Sequence, residues 1–234
     1  MSKSSASRTT HESKPGLEIR DVRIPPVGLA GTLRIPGAAH AFIAFAHGSG
    51  SSRFSPRNMA VAEGLNAQGF GTLLFDLLTS EEEADRANVF DIGLLAERLV
   101  DAIGWLNRES PASRCPLGLF GASTGAAAAL VAAARLGDRI GAVVSRGGRP
   151  DLAGKILDQI RAPTLLIVGG VDYGVIELNG EALTHLKGPK ALEIVPGASH
   201  LFPEPGALEA VIDRAARWFA QYLAASPRNP KPRG

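Results

Sequence analysis

The sequence predicts one α/β domain, a mostly parallel sheet flanked by helices on both faces. Short apolar runs bounded by glycine, proline or polar clusters alternate with amphipathic stretches between Leu17 and Leu223, the pattern of a parallel sheet with helical crossovers. The 234 residues, 45% hydrophobic and 21% charged, suffice for one large core. No segment suggests an internal repeat or a second domain.

Leu17 to Ile24 and Leu29 to Ile35 read as a hairpin across Pro25-Pro26-Val27-Gly28. Ala41 to Ala46 is a buried strand running into His47-Gly48-Ser49-Gly50. A helix over Pro56 to Gln68 and a strand over Phe70 to Leu78 follow, then an acidic loop from Thr79 to Asp85. Asp91 to Asn107 places Ile92, Leu95, Leu99, Ile103 and Leu106 on one helical face. Leu117 to Phe120 is a strand, and Thr124 to Leu136 is a helix small enough at Ala126 to Ala129 to pack tightly on the sheet. The chain continues with a strand at Ala142 to Ser145, a short helix at Leu152 to Ile160, and a strand at Pro163 to Val168. It closes with a helix at Leu178 to Leu186, a strand at Ala191 to Val195 and an amphipathic helix at Leu208 to Leu223. The stretch from Ser145 to Pro163 leaves no room for a lid domain.

The domain is expected over 17–225, with disordered tails at 1–16 and 226–234. The first tail carries a net +2 and the second +3, so the overall +2 less these +5 leaves −3 for the body. The tails are short and lack interleaved aromatics, so no nucleic-acid partner is expected. No apolar run is long enough to span a membrane, and no secretory h-region opens the chain. Cys115 stands alone, which rules out an internal disulfide and fits a cytoplasmic protein. Nothing in the sequence fixes the oligomeric state; a homodimer is one option.

Gly121-Ala122-Ser123-Thr124-Gly125 closes a strand and opens a helix. The pentapeptide alone would arise by chance in roughly 0.1–0.2 chains of this size; in this context it is a nucleophile elbow. Ser123, Asp172 and His200 each follow a different strand, in the chain order Ser, Asp, His. Parallel strands deliver their C-termini to one edge, where ligands bind. A serine hydroxyl needs an adjacent base, and histidine titrates in the right range. Of five histidines, His200 is the one after the last strand, and His47 belongs to the loop after Ala46. Asp172 would orient His200, with Glu177 as the backup acid. The oxyanion donors are expected to be the N–H groups of Thr124 and Ser49. Arg53 and Arg146 lie at the same edge. They either bind a substrate carboxylate or pair with Glu81 to Glu83 or Asp76 to fasten loops.

On the motifs His47-Gly48-Ser49-Gly50-Ser51-Ser52-Arg53, Asp76-Leu77-Leu78-Thr79, Gly121 to Gly125, Gly169-Gly170-Val171-Asp172 and Gly197-Ala198-Ser199-His200, the chain resembles the α/β-hydrolase superfamily. Within it, the chain is similar to the small, lidless dienelactone-hydrolase-like group. The resemblance implies an eight-stranded sheet with an antiparallel second strand, and hydrolysis of carboxylic esters or lactones without cofactor or metal. That group's namesakes use a cysteine nucleophile where this chain has Ser123, so a serine esterase acting on small soluble substrates is the expectation. Two alternatives stay open: an acyltransferase or perhydrolase using the same three residues, and a non-catalytic binding protein with a hydrolase fold.

Overall fold

The computed structural model describes residues 16–109 and 112–224, so nearly all of both expected tails lies outside the described residues. β1 (Leu17–Ile24) and β2 (Leu29–Pro36) pair antiparallel along their whole length. β2 alternates strictly between buried and half-buried positions, as a strand covered unequally on its two faces does. β3 (Ala41–Ala46), β4 (Phe70–Phe75), β5 (Leu117–Ala122), β6 (Ala142–Arg146) and β7 (Thr164–Gly169) are instead buried at every position. β8 (Lys190–Val195) is the more open edge. The order across the single sheet is β1-β2-β4-β3-β5-β6-β7-β8. β2 runs antiparallel to both neighbours, and all pairs from β4 to β8 are parallel.

Two apolar layers sandwich this sheet. On one face, α4 (Ile92–Leu106) and α5 (Thr124–Leu136) bury Leu95, Leu99 and Leu130 against Leu119 and Val143. On the other, α1 (Pro56–Ala67) and α7 (Ala207–Tyr222) bury Val61, Leu65 and Phe219 against Phe120 and Val144. Eleven of the thirteen residues of α5 are buried, and Ala126 to Ala129 have no exposure. The alanines let this helix lie close against the strands, so its first turn is brought directly under the C-terminal sheet edge.

Four local expectations change. β4 stops at Phe75 instead of Leu78: Asp76 N–H still reaches Ala30 of β2, but the next group, Leu77 N–H, turns to the His47 ring. The acidic loop contains two one-turn helices, α2 (Ser80–Glu83) and α3 (Arg86–Val89). Thr79 caps α2 reciprocally with Glu82, and Asp85 caps α3. The segment Pro150–Gln159 is a 3₁₀ helix broken at Gly154, whose φ is +57°. α6 (Tyr173–His185) starts five residues earlier than its apolar spacing suggests. The connection from β6 to β7 holds only that 3₁₀ segment and no lid. Among the described residues, no helix is long and apolar enough to cross a membrane.

Candidate active site

Ser123 occupies the single residue between β5 and α5, with φ +51° and ψ −124°. Left-handed φ in a non-glycine residue costs on the order of 1–3 kcal/mol and persists only where its surroundings enforce it. Here they do. Ser123 N–H donates to Arg146 O at 3.2 Å, and Ser123 O accepts from the N–H groups of Ala126 and Arg149, each at 3.1 Å. Both flanking glycines are needed for the same turn. A Cβ on Gly121 would strike the backbone of Ala126, and one on Gly125 would strike the carbonyl oxygens of Ala46 and His47. A Cβ on Gly48 would come 3.0 Å from Ser123 Cβ. The loop after β3 is thus pressed directly against the elbow.

Asp172 is the residue before α6, yet its side chain caps no helix N–H. Its Oδ2 instead lies 2.7 Å from His200 Nδ1. A carboxylate only accepts, so Nδ1 carries the proton and Nε2 the lone pair. The two loops are tied together by Val171 N–H donating to Ala198 O at 3.0 Å. A Cβ on Gly147 would come 3.5 Å from His200 Nδ1, which puts the imidazole over the end of β6, beside the elbow. Among the described residues no hydrogen bond joins Ser123 to His200; such contacts commonly tighten only when substrate is bound. Glu177, the backup acid, is exposed within α6.

The loop 47–51 folds as a turn, Ser51 N–H donating to Gly48 O at 3.2 Å with Gly50 at φ +67°. His47 pins it. Its Nε2 accepts from Leu77 N–H at 3.1 Å, so its Nδ1 donates to Gly48 O at 3.0 Å. Burial holds the His47 pKa below the ordinary imidazole value, with the Gly48 carbonyl opposing more weakly. A folded-state pKa below the unfolded one means that the unfolded chain binds more protons, so this contribution is present above about pH 6.5 and is lost as pH falls from there. Urea unfolding between pH 7.5 and 5 should therefore show a loss of stability that is smaller in His47→Gln.

Ser49 does not present an open N–H, contrary to the sequence expectation: it donates to Thr124 Oγ1 at 2.9 Å. Thr124 N–H, at the first position of α5, has no acceptor among the described residues.

The two arginines separate. Arg53 fastens loops: its guanidinium pairs with Asp76, and its N–H donates to Asp76 Oδ1 at 2.9 Å. The expectation that it binds substrate therefore gives way to the loop-fastening alternative. Arg146 pairs with none of the acids considered for it; Glu82 is bonded to Arg98 at 2.5 Å. Arg146 is only 6% exposed, and its Nε and Nη1 are buried without a partner. Burial lowers its pKa to about 10, and the like charge of Arg57 pushes the same way.

Beyond the loop lies a cavity of about 70 Å³, lined in part by Ser49, Ser52, Leu77, Leu78, Val89 and Leu95. Sequence reasoning named Ser49, Ser52, Leu77, Leu78 and Leu95 for other reasons but did not bring them together, and it did not single out Val89. The pattern Thr79-Ser80-Glu81-Glu82 was the available signal, since it is a capping box and marks helix rather than loop. No cluster of three or more potential metal ligands occurs among the described residues.

No family model matches the chain. It is 52% identical to a dienelactone hydrolase of Anabaena variabilis, with a TM-score of 0.84, covering 92% of this chain and 99% of that one. Est1E of Butyrivibrio proteoclasticus shares the fold at 16% identity and a TM-score of 0.73, over 88% of this chain and 99% of that one. A Mycobacterium tuberculosis protein provisionally named a phosphoribosyl transferase is 56% identical over 211 residues, 89% of this chain and 48% of that protein. The chain thus spans about half the length of the curated relatives it matches.

Proposed function

We propose, for a chain that belongs to the dienelactone hydrolase family of α/β-hydrolases, that it hydrolyses small carboxylic esters or lactones through an acyl-enzyme on Ser123. The observation that carries this reading is the enforced positive φ of Ser123 at the sheet edge where Asp172 and His200 are hydrogen-bonded. His200 Nε2 takes the Ser123 proton as Oγ adds to the carbonyl, and the imidazolium is stabilised by Asp172. Collapse expels the alcohol, which receives that proton. Water, deprotonated by His200, then releases the acid from Ser123.

Arg146 supplies a preference for substrates that carry a negative charge. A guanidinium whose Nε and Nη1 are buried with no partner among the described residues carries a desolvation cost, and the Arg146 backbone carbonyl already accepts from Ser123 N–H. A carboxylate on the substrate would provide the missing acceptor. The test is a panel of neutral and carboxylate-bearing esters and lactones, with acid release measured. The carboxylate-bearing members should have the higher kcat/KM. In Arg146→Met that preference should fall by about tenfold or more, as for a hydrogen bond to a charged group. An unchanged preference would remove Arg146 from the reading. The transferase name belongs to proteins about twice this length; we assign it to the half that this chain does not share.

A further inference from the structure

We propose that the side-chain hydroxyl of Thr124 is itself an oxyanion donor, acting beside the Thr124 N–H and fed by the Ser49 N–H. This rests on the esterase reading above and gives the Thr124 N–H a second oxyanion donor beside it.

The inference begins with the close approach at Gly125. Because no Cβ intervenes, the carbonyls of Ala46 and His47 pack directly on the first turn of α5. That contact carries the 47–51 loop across the Thr124 side chain, and Ser49 N–H bonds to Thr124 Oγ1 at 2.9 Å. A hydroxyl has one proton to give. Since Oγ1 is the acceptor in that bond, its proton must go elsewhere, and among the described residues Thr124 Oγ1 donates to none. Thr124 is only 6% exposed, so bulk water does not surround the group.

The location sets what the proton meets. Thr124 follows Ser123 directly, and its own N–H is likewise without an acceptor. The backbone N–H and the side-chain O–H of the residue next to the nucleophile are thus two open donors in the first turn of a thirteen-residue helix, at its positive end. Ser49 N–H, expected to contact the oxyanion, instead polarises the hydroxyl that would do so, and a chain of hydrogen bonds strengthens its terminal donor. The β-branched side chain holds few χ1 alternatives, so the donor is preorganised. During acylation the Ser123 Oγ–carbon bond forms and the carbonyl π pair moves onto oxygen. The Ser123 proton goes to His200. Thr124 donates a hydrogen bond to that oxygen and transfers no proton.

Full-length wild type, Thr124→Val, Thr124→Ser and Ser123→Ala are compared with p-nitrophenyl acetate, alongside thermal unfolding of each. Valine keeps the shape and removes the donor. Its kcat and kcat/KM should fall together by ~10²–10³-fold, the cost of one oxyanion donor, with KM and the unfolding midpoint near wild type. Serine restores the hydroxyl and should keep activity within about threefold of wild type. Activity in Thr124→Val equal to or above wild type would overturn the proposal, because the hydroxyl would then only plug the site. An equal loss in Thr124→Ser and Thr124→Val would overturn it too, since the methyl group would be what matters. Wild-type hydrolysis that survives Ser123→Ala would instead overturn the esterase reading itself, and this proposal with it.

Discussion

Ser123→Ala is expected to lower the rate of ester hydrolysis by at least ~10³-fold, while the protein stays folded. The side chain lost is the one that forms the covalent bond, and no remaining group at the elbow can replace it. What remains is the binding and the oxyanion donors, which alone leave residual catalysis over water. The fold should be indifferent. The main-chain bonds of Ser123 to Arg146, Ala126 and Arg149 do not involve the hydroxyl, and the strained φ of +51° is equally a burden for alanine. Near-identical thermal unfolding of wild type and variant, with activity lost, is the pattern that separates chemistry from stability.

Asp172→Asn is expected to lower kcat by about 10⁴-fold. The 2.7 Å contact to His200 Nδ1 is retained in shape, but an amide placed there can donate its N–H₂ to Nδ1. The imidazole proton then moves to Nε2, the nitrogen needed as base, and the imidazolium loses its counter-charge. Helix α6 should survive, because Asp172 makes no capping hydrogen bond to it. Glu177→Gln, an exposed change one turn into α6, is expected to leave the rate within about twofold, as exposed charge changes do. Steady-state kinetics of the two variants with one ester decide between the acids: a heavy loss in Glu177→Gln with none in Asp172→Asn would reassign the role.

The frame of this molecule was legible because the strands buried on both faces are short and largely apolar. Ala41 to Ala46 and Pro163 to Val168 read as strands without any knowledge of their neighbours, and parallel crossovers then bring Ser123, Asp172 and His200 to one edge. Partner choice was not legible. Arg53 and Arg146 carry the same charge at the same edge, yet one has Asp76 within reach, while the charge felt by the other is the like charge of Arg57. That difference follows from side-chain direction across β6: period two puts Arg146 on the α1 face with Val144, away from the acidic helices. The link between Ser49 and Thr124 spans 75 positions and exists because glycine at 125 lets two backbones touch. Nothing local to either residue announces it. The acidic segment after β4 misled for the opposite reason. Its charge reads as solvated loop, while its spacing, Thr79 with Glu82 and then Asp85, is that of helix caps.

The most direct test is covalent capture. The full-length protein is incubated with a fluorophosphonate, digested and mapped by mass spectrometry, with Ser123→Ala in parallel. The account predicts one phosphonyl adduct on the peptide carrying Ser123, formed at a rate that falls sharply in Asp172→Asn, and none in Ser123→Ala. A folded wild-type protein that takes no label, or an adduct that persists at another residue in Ser123→Ala while ester hydrolysis continues, would contradict it.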